Sequence, residues 1–215
     1  MPALAAETLL DPWWARLPLE GEPGRPRQHE LVAVLSADFP PHTVVDQPGG
    51  RRPTDWRIAV RADVGGGRVH RVETTSAGPR LWYVELTEPR TAGQPAATTL
   101  VAFSDARFAD GDVLGAEQAQ RSRVDGTRQV AALRWWPGTG LVHQLYVAAE
   151  HRRRGVAGTL VQVAFGVQAA RGLPALRGDG RRTELGEEWR SGLPDVVSAR
   201  MAPLSELMPP MTPGE

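Results

Sequence analysis

The stretch LVHQLYVAAEHRRRGVAGTL, residues 141–160, decides the predicted fold because its apolar pattern changes period halfway along. Over residues 141–147 apolar side chains occur on both alternating sets, with Leu141, His143, Leu145 and Val147 on one face. This two-residue period is typical of a strand, and apolar residues on both faces favour a central position in a sheet. From Val156 the apolar residues recur at three- and four-residue steps, which predicts an amphipathic helix that ends at Arg171, before Gly172 and Pro174.

The connection between strand and helix carries three consecutive arginines, Arg152, Arg153 and Arg154. They precede a helix N-terminus, where the macrodipole is positive and each added cation costs roughly 0.3–1 kcal/mol. A bound anion would turn that cost into a gain. Gly155 and Gly158 would leave the first-turn N–H groups open to close approach, as in phosphate sites at helix N-termini. We therefore predict an anion site, the alternative being an exposed basic loop with glycines for the turn.

Residues 145–160 resemble motif A of the GNAT superfamily, the acyl-CoA-dependent N-acyltransferases. In that motif a Gln or Arg, two residues, a Gly, one residue, and then a Gly or Ala mark the pyrophosphate loop. Arg152, Gly155 and Ala157 fill the three defined places. The resemblance extends over residues 129–171 and is weak elsewhere.

The resemblance implies an α/β (α+β) fold with a mixed, mostly antiparallel central sheet and flanking helices. It implies acetyl-CoA as the cofactor, with the pantetheine arm in a gap where the last strand splays from its neighbour. The backbone of the strand end would bind that arm, and the N–H groups of residues 153–158 would hold the pyrophosphate. The implied cofactor-binding residues are Leu145, Tyr146, Val147, Arg152, Arg153, Arg154, Gly155, Val156, Ala157 and Gly158.

The implied activity is transfer of an acetyl group to an amine of a small molecule or a peptide. His143 is the first candidate for the base, since it lies two residues before Leu145, where many family members place a catalytic glutamate. The alternative for His143 is a polar residue on a sheet face, satisfied by a neighbour. Glu150 is a second candidate base and Glu85 a weaker one, whereas His151 is interpreted as a loop residue.

Two features usual in the family are missing after the helix, namely the closing β-hairpin and the tyrosine that often protonates the departing thiolate. Tyr83 and Tyr146 are the only tyrosines. Three alternatives follow: the upstream strands complete the sheet, a second subunit of a homodimer completes it, or the fold persists without the chemistry. The last alternative gives a second functional hypothesis, a catalytically inactive GNAT-fold module that binds CoA or a protein partner.

The sequence as a whole predicts four segments: an N-terminal arm and loop over 1–55, a β-rich meander over 56–128, the GNAT-like core over 129–192, and a proline-rich tail over 193–215. The tail is expected either to lie along the surface or to be disordered. Trp13 and Trp14 in the arm are expected to dock on the core, or else to form an exposed platform for a partner. Residues 105–128 are predicted to be an irregular, mobile excursion with a short helix at 116–122. Thr183 is predicted to cap a short acidic helix over 184–190.

Composition limits the remaining possibilities. The 215 residues carry no net charge and no cysteine, and every basic residue apart from histidine is arginine. Disulfides, thiolate metal sites, a cysteine nucleophile and a Walker lysine are thereby excluded, and no His, Asp or Glu cluster has metal-ligand spacing. Neutral charge disfavours nucleic acid as a partner. The absence of an N-terminal signal or anchor pattern favours a cytoplasmic protein without membrane contact, and the arginine, alanine and glycine bias favours a high-GC bacterial source.

Overall fold

A computed structural model describes residues 11–21, 24, 26–65, 67–193 and 201–209. These residues form a mixed α+β fold that is rich in strands, with two five-stranded, mostly antiparallel sheets. The α+β class is therefore confirmed. The single central sheet was wrong, because the strands divide between two sheets that share a core.

The first sheet is built from the N-terminal third of the chain and has the strand order β3-β1-β2-β4-β5. Its pairs are antiparallel except for β1 with β3. The strands are β1 (Trp13–Pro18), β2 (Gln28–Val34), β3 (Val44–Asp46), β4 (Trp56–Asp63) and β5 (Val69–Thr74).

The second sheet has the order β10-β9-β7-β6-β8, and its pairs are antiparallel except for β6 with β8. The strands are β6 (Trp82–Glu88), β7 (Ala97–Phe103), β8 (Val113–Gly115), β9 (Ala131–Trp136) and β10 (Leu141–Val147). Hydrogen bonds between β7 and β9 show that upstream strands extend the sheet that holds residues 131–147. Paired strands also cross the expected segment boundaries at 55/56 and 128/129.

Three α-helices and one small parallel pair complete the described chain. The helices are α1 (Ala116–Arg121), α2 (Val156–Ala170) and α3 (Glu184–Ser191), and the pair is β11 (Arg181–Arg182) with β12 (Glu206–Leu207). The Thr183 hydroxyl accepts the N–H of Gly186, which confirms the predicted N-cap of α3. The pairing of β12 places 206–207 of the tail on the body of the protein, while residues 194–200 and 210–215 of the tail lie outside the described residues.

Helix α2 organises the main core because it packs against both sheets. Its predicted apolar stripe is confirmed, since each of these side chains is at most 1% exposed: Val156, Leu160, Val163, Ala164 and Val167. At Gly166 the helix comes so close to β4 that a Cβ would lie 2.8 Å from a methyl of Val60. The helix therefore fixes the first sheet relative to the second.

The two tryptophans of the expected arm lie in β1 and are each only 3% exposed. Their burial confirms the prediction that they dock on the core. They do so as residues of a strand, so the predictions of an arm laid over the surface and of an exposed aromatic platform were wrong. Because consecutive strand residues face opposite ways, Trp14 enters the main core beside Phe165, while Trp13 joins a second cluster and donates to Ser36 Oγ at 2.8 Å.

The predicted irregular excursion at 105–128 is instead packed structure. It contains β8, the expected helix α1 and a 3₁₀ turn at Gly126–Arg128. Leu114 and Ala119 are buried with Trp82 on the face of the second sheet that lies away from α2. These apolar side chains cover a sheet face that would otherwise meet water, which explains why the segment is structured. None of the helices in the described part of the chain combines the length and apolarity needed to cross a bilayer.

Candidate functional site

Strand β10 lies at the edge of the second sheet, so its predicted central position was wrong. On the side away from β9, a parallel bridge joins Leu141 to Arg177. The N–H of Val142 donates to the Arg177 carbonyl at 2.8 Å, and the N–H of Arg177 donates to the Gly140 carbonyl at 2.9 Å. Beyond Val142 no described strand pairs with this side of β10. With respect to the described residues, the edge is therefore open over residues 143–147.

The backbone of two predicted cofactor residues, Leu145 and Val147, is directed toward this open edge. The N–H of Ala148 donates to the Val130 carbonyl at 2.9 Å and so points toward β9. Because backbone groups of successive strand residues point to alternate sides, those of Val147 and Leu145 point away from β9. The side chain of Arg152 confirms this direction. Its Nε approaches from the open side and donates to the Val147 carbonyl, with an N–O distance of 3.1 Å.

A β-bulge at His143 breaks the alternation predicted for β10. The pairing with β9 shifts register between Val142 and Gln144, which is the signature of one extra residue in the strand. As a result Val142 and Leu145, three residues apart, both pack on the main core. His143 does not share their face. Its ring lies 4.9 Å from that of Trp136, on the side of the sheet opposite α2.

The N-terminus of α2 is fixed by Gly155, which has φ of +80° in the left-handed region. A Cβ on Gly155 would lie 3.3 Å from the Cα of Gly78, so the glycine allows the segment 76–78 to approach. The hydroxyl of Thr159 lies against the same segment, 3.5 Å from Ser76 Oγ, and also donates to the Gly155 carbonyl at 3.2 Å. One side of the helix N-terminus is therefore covered by the protein's own chain.

The other side of the first turn remains accessible. The N–H groups of Val156, Ala157 and Gly158 have no acceptor among the described residues, whereas that of Thr159 donates to the Gly155 carbonyl at 3.0 Å. A Cβ placed on Gly158 would meet nothing within 4 Å. Three unpaired donors at the positive end of a helix dipole form a site suited to an anion.

The three arginines of the loop point to different partners. Arg152 reaches back to Val147, so this guanidinium supports the strand end as well as adding positive charge. Arg153 has a φ of +59° and pairs with Glu188 of α3 at 2.7 Å, and both of these side chains are largely exposed. Arg154 is exposed. The loop therefore keeps its positive charge at the surface beside the open donors of α2.

The residues considered for proton transfer occupy unequal environments. The Glu150 side chain is 72% exposed and its Oε1 lies 3.9 Å from Nε2 of His151. Glu85 is committed to an ion pair, because its two oxygens accept from Arg171 at 2.6 and 2.9 Å. Tyr83 is buried in the core, where desolvation raises the pKa of its hydroxyl above the ordinary tyrosine value. Tyr146 lies opposite Ala132 and is partly buried.

A cavity of about 270 Å³, which sequence reasoning missed, opens at the same end of the second sheet. It lies where three separate chain segments meet, and all but one of the lining residues are polar: Ser104, Asp105, Thr127, Arg128, Gln129, Val130, Glu150 and His151. The only available signal was the position of His151 beside Glu150, and no local pattern links these two residues to those near 104 or 128.

No family model matches the chain, and neither a curated protein nor a solved structure matches it. Within the described ranges, no three His, Asp or Glu side chains come together in a way that would hold a metal ion. Function is therefore inferred from the geometry of the open β10 edge, the N-terminus of α2 and the adjoining cavity.

Proposed function

We propose that this chain is a GNAT-like N-acetyltransferase, which transfers an acetyl group from acetyl-CoA to an amine. The observation that carries the proposal is that the open edge of β10 leads, through a basic loop, to the unpaired N–H groups of α2. An extended amide-bearing arm and a pyrophosphate, joined in one molecule, match these two adjoining surfaces.

The backbone of β10 supplies hydrogen-bonding groups of the right kind for the amides of a pantetheine arm. Leu145 offers both its N–H and its C=O to the open edge, and Val147 offers its N–H, while its C=O is held by Arg152. Arg152 thereby fixes the position of the strand end. Residues 156–158 offer three N–H donors for the pyrophosphate, supported by roughly half a positive charge from the helix dipole and by the neighbouring arginines.

The chemistry proposed is direct attack of an amine on the thioester, which acetyl-CoA supplies when bound. The N–H of Val147 is placed to donate to the oxygen that becomes negative as the carbonyl carbon is attacked. Holding the thioester and the amine in one orientation is itself a large part of such catalysis. His143 and Glu150 remain the sequence-predicted candidates for the base.

A second candidate function, a CoA-binding module without turnover, is favoured by one observation. The tyrosine that often acts as the acid in the family has no equivalent after α2, where the sequence contains no tyrosine, and Tyr83 is buried with a raised pKa. The two functions share the cofactor site and differ only in the release of free CoA. Because the chain has no cysteine, a thiol reagent detects released CoA without background from the protein.

A glutamate at Gly158 tests the cofactor site. Gly158→Glu places a carboxylate in open space within the first turn of α2, where an acidic residue suits the helix dipole and leaves the fold intact. The same charge would repel a pyrophosphate. We expect calorimetric titration with acetyl-CoA to show binding by the wild type and a loss of about tenfold or more in Gly158→Glu, equivalent to about 1.4 kcal/mol.

The matched control is Gly115→Glu, because Gly115 also lies at the start of a helix, as the N-cap of α1. A Cβ added to Gly115 would likewise meet nothing within 4 Å. This variant should bind acetyl-CoA like the wild type. Equal binding by Gly158→Glu, or no binding by the wild type at millimolar ligand, would contradict the proposed site. Binding without CoA release for any amine would favour the second candidate function.

A further inference from the structure

We propose that the cavity lined by residues 104–105, 127–130 and 150–151 is the acceptor site, that it takes a small zwitterionic amine of the amino-acid type, and that His151 is the base. This inference rests on the proposed acetyltransferase function and adds the substrate class and the catalytic residue. It departs from the prediction that His143 is the base.

The cavity and the open strand edge meet at one peptide bond. His151 lines the cavity, and the next residue, Arg152, donates to the Val147 carbonyl at the open edge of β10. Neighbouring Cα atoms lie about 3.8 Å apart. The 3₁₀ turn that carries His151 thus follows directly on the strand end where the thioester is proposed to lie. The ring of His143, by contrast, lies tilted against that of Trp136 on the face of the sheet opposite α2.

The cavity carries a cation suited to a carboxylate. The Arg128 side chain is 65% exposed, and its Nη1 lies 3.6 Å from Asp105 Oδ2, a distance too long for a strong hydrogen bond. Asp105 is held in place by Trp82, whose Nε1 donates to Asp105 Oδ1 at 2.9 Å. A guanidinium has five N–H donors in a planar fork, so Arg128 keeps donors for a bidentate carboxylate while it remains beside Asp105.

The opposite charge is supplied by the 3₁₀ turn at Ala149–His151. The carboxylate of Glu150 lies 3.9 Å from His151 Nε2 and is mostly exposed, so it can accept from an ammonium group. His151 is more enclosed, with a side chain 23% exposed. An imidazole beside a bound ammonium is the usual choice for removing its proton near neutral pH.

The dimensions of the cavity suit a small acceptor. Ligand pockets for drug-sized molecules commonly measure about 300–1,000 Å³, and this cavity, at about 270 Å³, lies just below that range. Val130 is the only apolar residue in its lining. A small and polar acceptor with both charges therefore fits better than a peptide or an apolar amine.

The proposed step balances as follows for an acceptor ammonium. The ammonium gives one proton to the imidazole of His151, and the freed nitrogen lone pair attacks the thioester carbonyl carbon. The new C–N bond forms and the C–S bond breaks, with the electron pair leaving on the CoA sulfur. The second proton lost from nitrogen goes to the thiolate, and His151 releases its proton to solvent. The products are the N-acetylated acceptor, free CoA and one proton.

The test compares each standard L-amino acid with its own carboxamide as acceptor, following CoA release from acetyl-CoA. We expect at least one amino acid to be accepted, with kcat/KM about tenfold or more above that of its carboxamide. Arg128→Gln should remove this preference by raising KM. His151→Gln should lower kcat by about 10²–10⁴-fold and abolish the acidic limb of the pH–rate profile, with acetyl-CoA affinity unchanged.

Two exposed residues outside the cavity serve as controls. Arg57→Gln changes an exposed arginine of β4, and His42→Asn changes a histidine whose φ of +63° asparagine tolerates. Both should turn over like the wild type. Acetyl-CoA binding with no accepted amino acid, equal use of acid and carboxamide, or full activity of His151→Gln would overturn this inference alone. Failure to bind acetyl-CoA would instead overturn the proposed function on which it rests.

Discussion

Gly155 satisfies two constraints that no other residue type meets together. Its φ of +80° starts α2 from the left-handed region, and its missing side chain leaves room for Gly78. In the opposite direction, a side chain on Gly78 would overlap the Thr159 hydroxyl. The pair of glycines therefore joins the start of α2 to the segment before β6, and this contact shapes the loop that is proposed to hold the pyrophosphate.

Replacing Gly155 with alanine is expected to destabilise the fold by about 1–3 kcal/mol, because a Cβ is strained at this φ and would press on Gly78. Chemical denaturation measures the change in the free energy of unfolding. Gly158→Ala is the control, since Gly158 is helical and open, and it should stabilise α2 by roughly 0.5–1 kcal/mol. A loss no larger in Gly155→Ala than in Gly158→Ala would show that the contact with Gly78 is not formed.

His143 shows where reasoning from the pattern of residues fails. Alternation predicted that His143 and Leu145 share a face, but one bulged residue moves His143 to the other side, beside Trp136. A bulge depends on pairing with β9, and residues 141–147 contain no glycine or other local sign of it. By contrast, the Thr183 cap was predictable because its hydrogen bond lies within four residues of the chain.

At the level of elements, α2 joins the two sheets through its apolar stripe and through one buried ion pair at its end. Arg171 follows the last residue of α2, where a cation suits the helix dipole, and binds both oxygens of Glu85 on β6. The side chains are only 17% and 9% exposed. The pair fixes the C-terminal end of α2 on the second sheet, while Gly155 fixes the other end.

Removing only one partner of this ion pair should lower the stability of the fold. Arg171→Met leaves the Glu85 carboxylate buried without its cation, and we expect a loss of about 3–5 kcal/mol in unfolding free energy. The double variant Arg171→Met/Glu85→Leu removes both charges and should be more stable than Arg171→Met alone. Denaturant titration of the two single variants and the double variant measures the coupling. Strictly additive losses would mean that the two side chains do not interact in the folded protein.

Most strands and helices were predictable because their signals are local. Residues 56–63 alternate over a full strand, and the α2 stripe recurs with the helical period. The edge position of β10 was not predictable from its apolar residues. One face of β10 packs on the main core, and Tyr146 on the other face is partly buried, so an edge strand here has the same two-sided apolar pattern as a central strand. Which side of a strand lacks a partner is decided by distant segments.

At the scale of the whole molecule, three features of the proposed site lie at the C-terminal end of β10: the open backbone edge, the N-terminus of α2 and the polar cavity. The resemblance to motif A predicted a gap beside the strand end and an anion site at the start of the helix, but it did not predict that β10 is an edge strand. The cavity needs segments near 104, 128 and 150 to meet, through pairing of β7 with β9 and of β9 with β10. Such long-range pairing leaves no periodic trace in the sequence, so neither the division of the strands into two sheets nor the cavity was predicted.

The most direct test of the central claim is a titration of ¹⁵N-labelled protein with CoA, observed through backbone amide resonances. We expect the amide resonances of Leu145, Val147 and residues 156–158 to shift together and these amides to exchange more slowly with solvent, because they gain hydrogen-bond acceptors. Amides of the first sheet, such as that of Val32, should stay unchanged. Binding that shifts other amides and leaves β10 and the start of α2 unaffected, or the absence of any shift at saturating CoA, would contradict the proposed cofactor site.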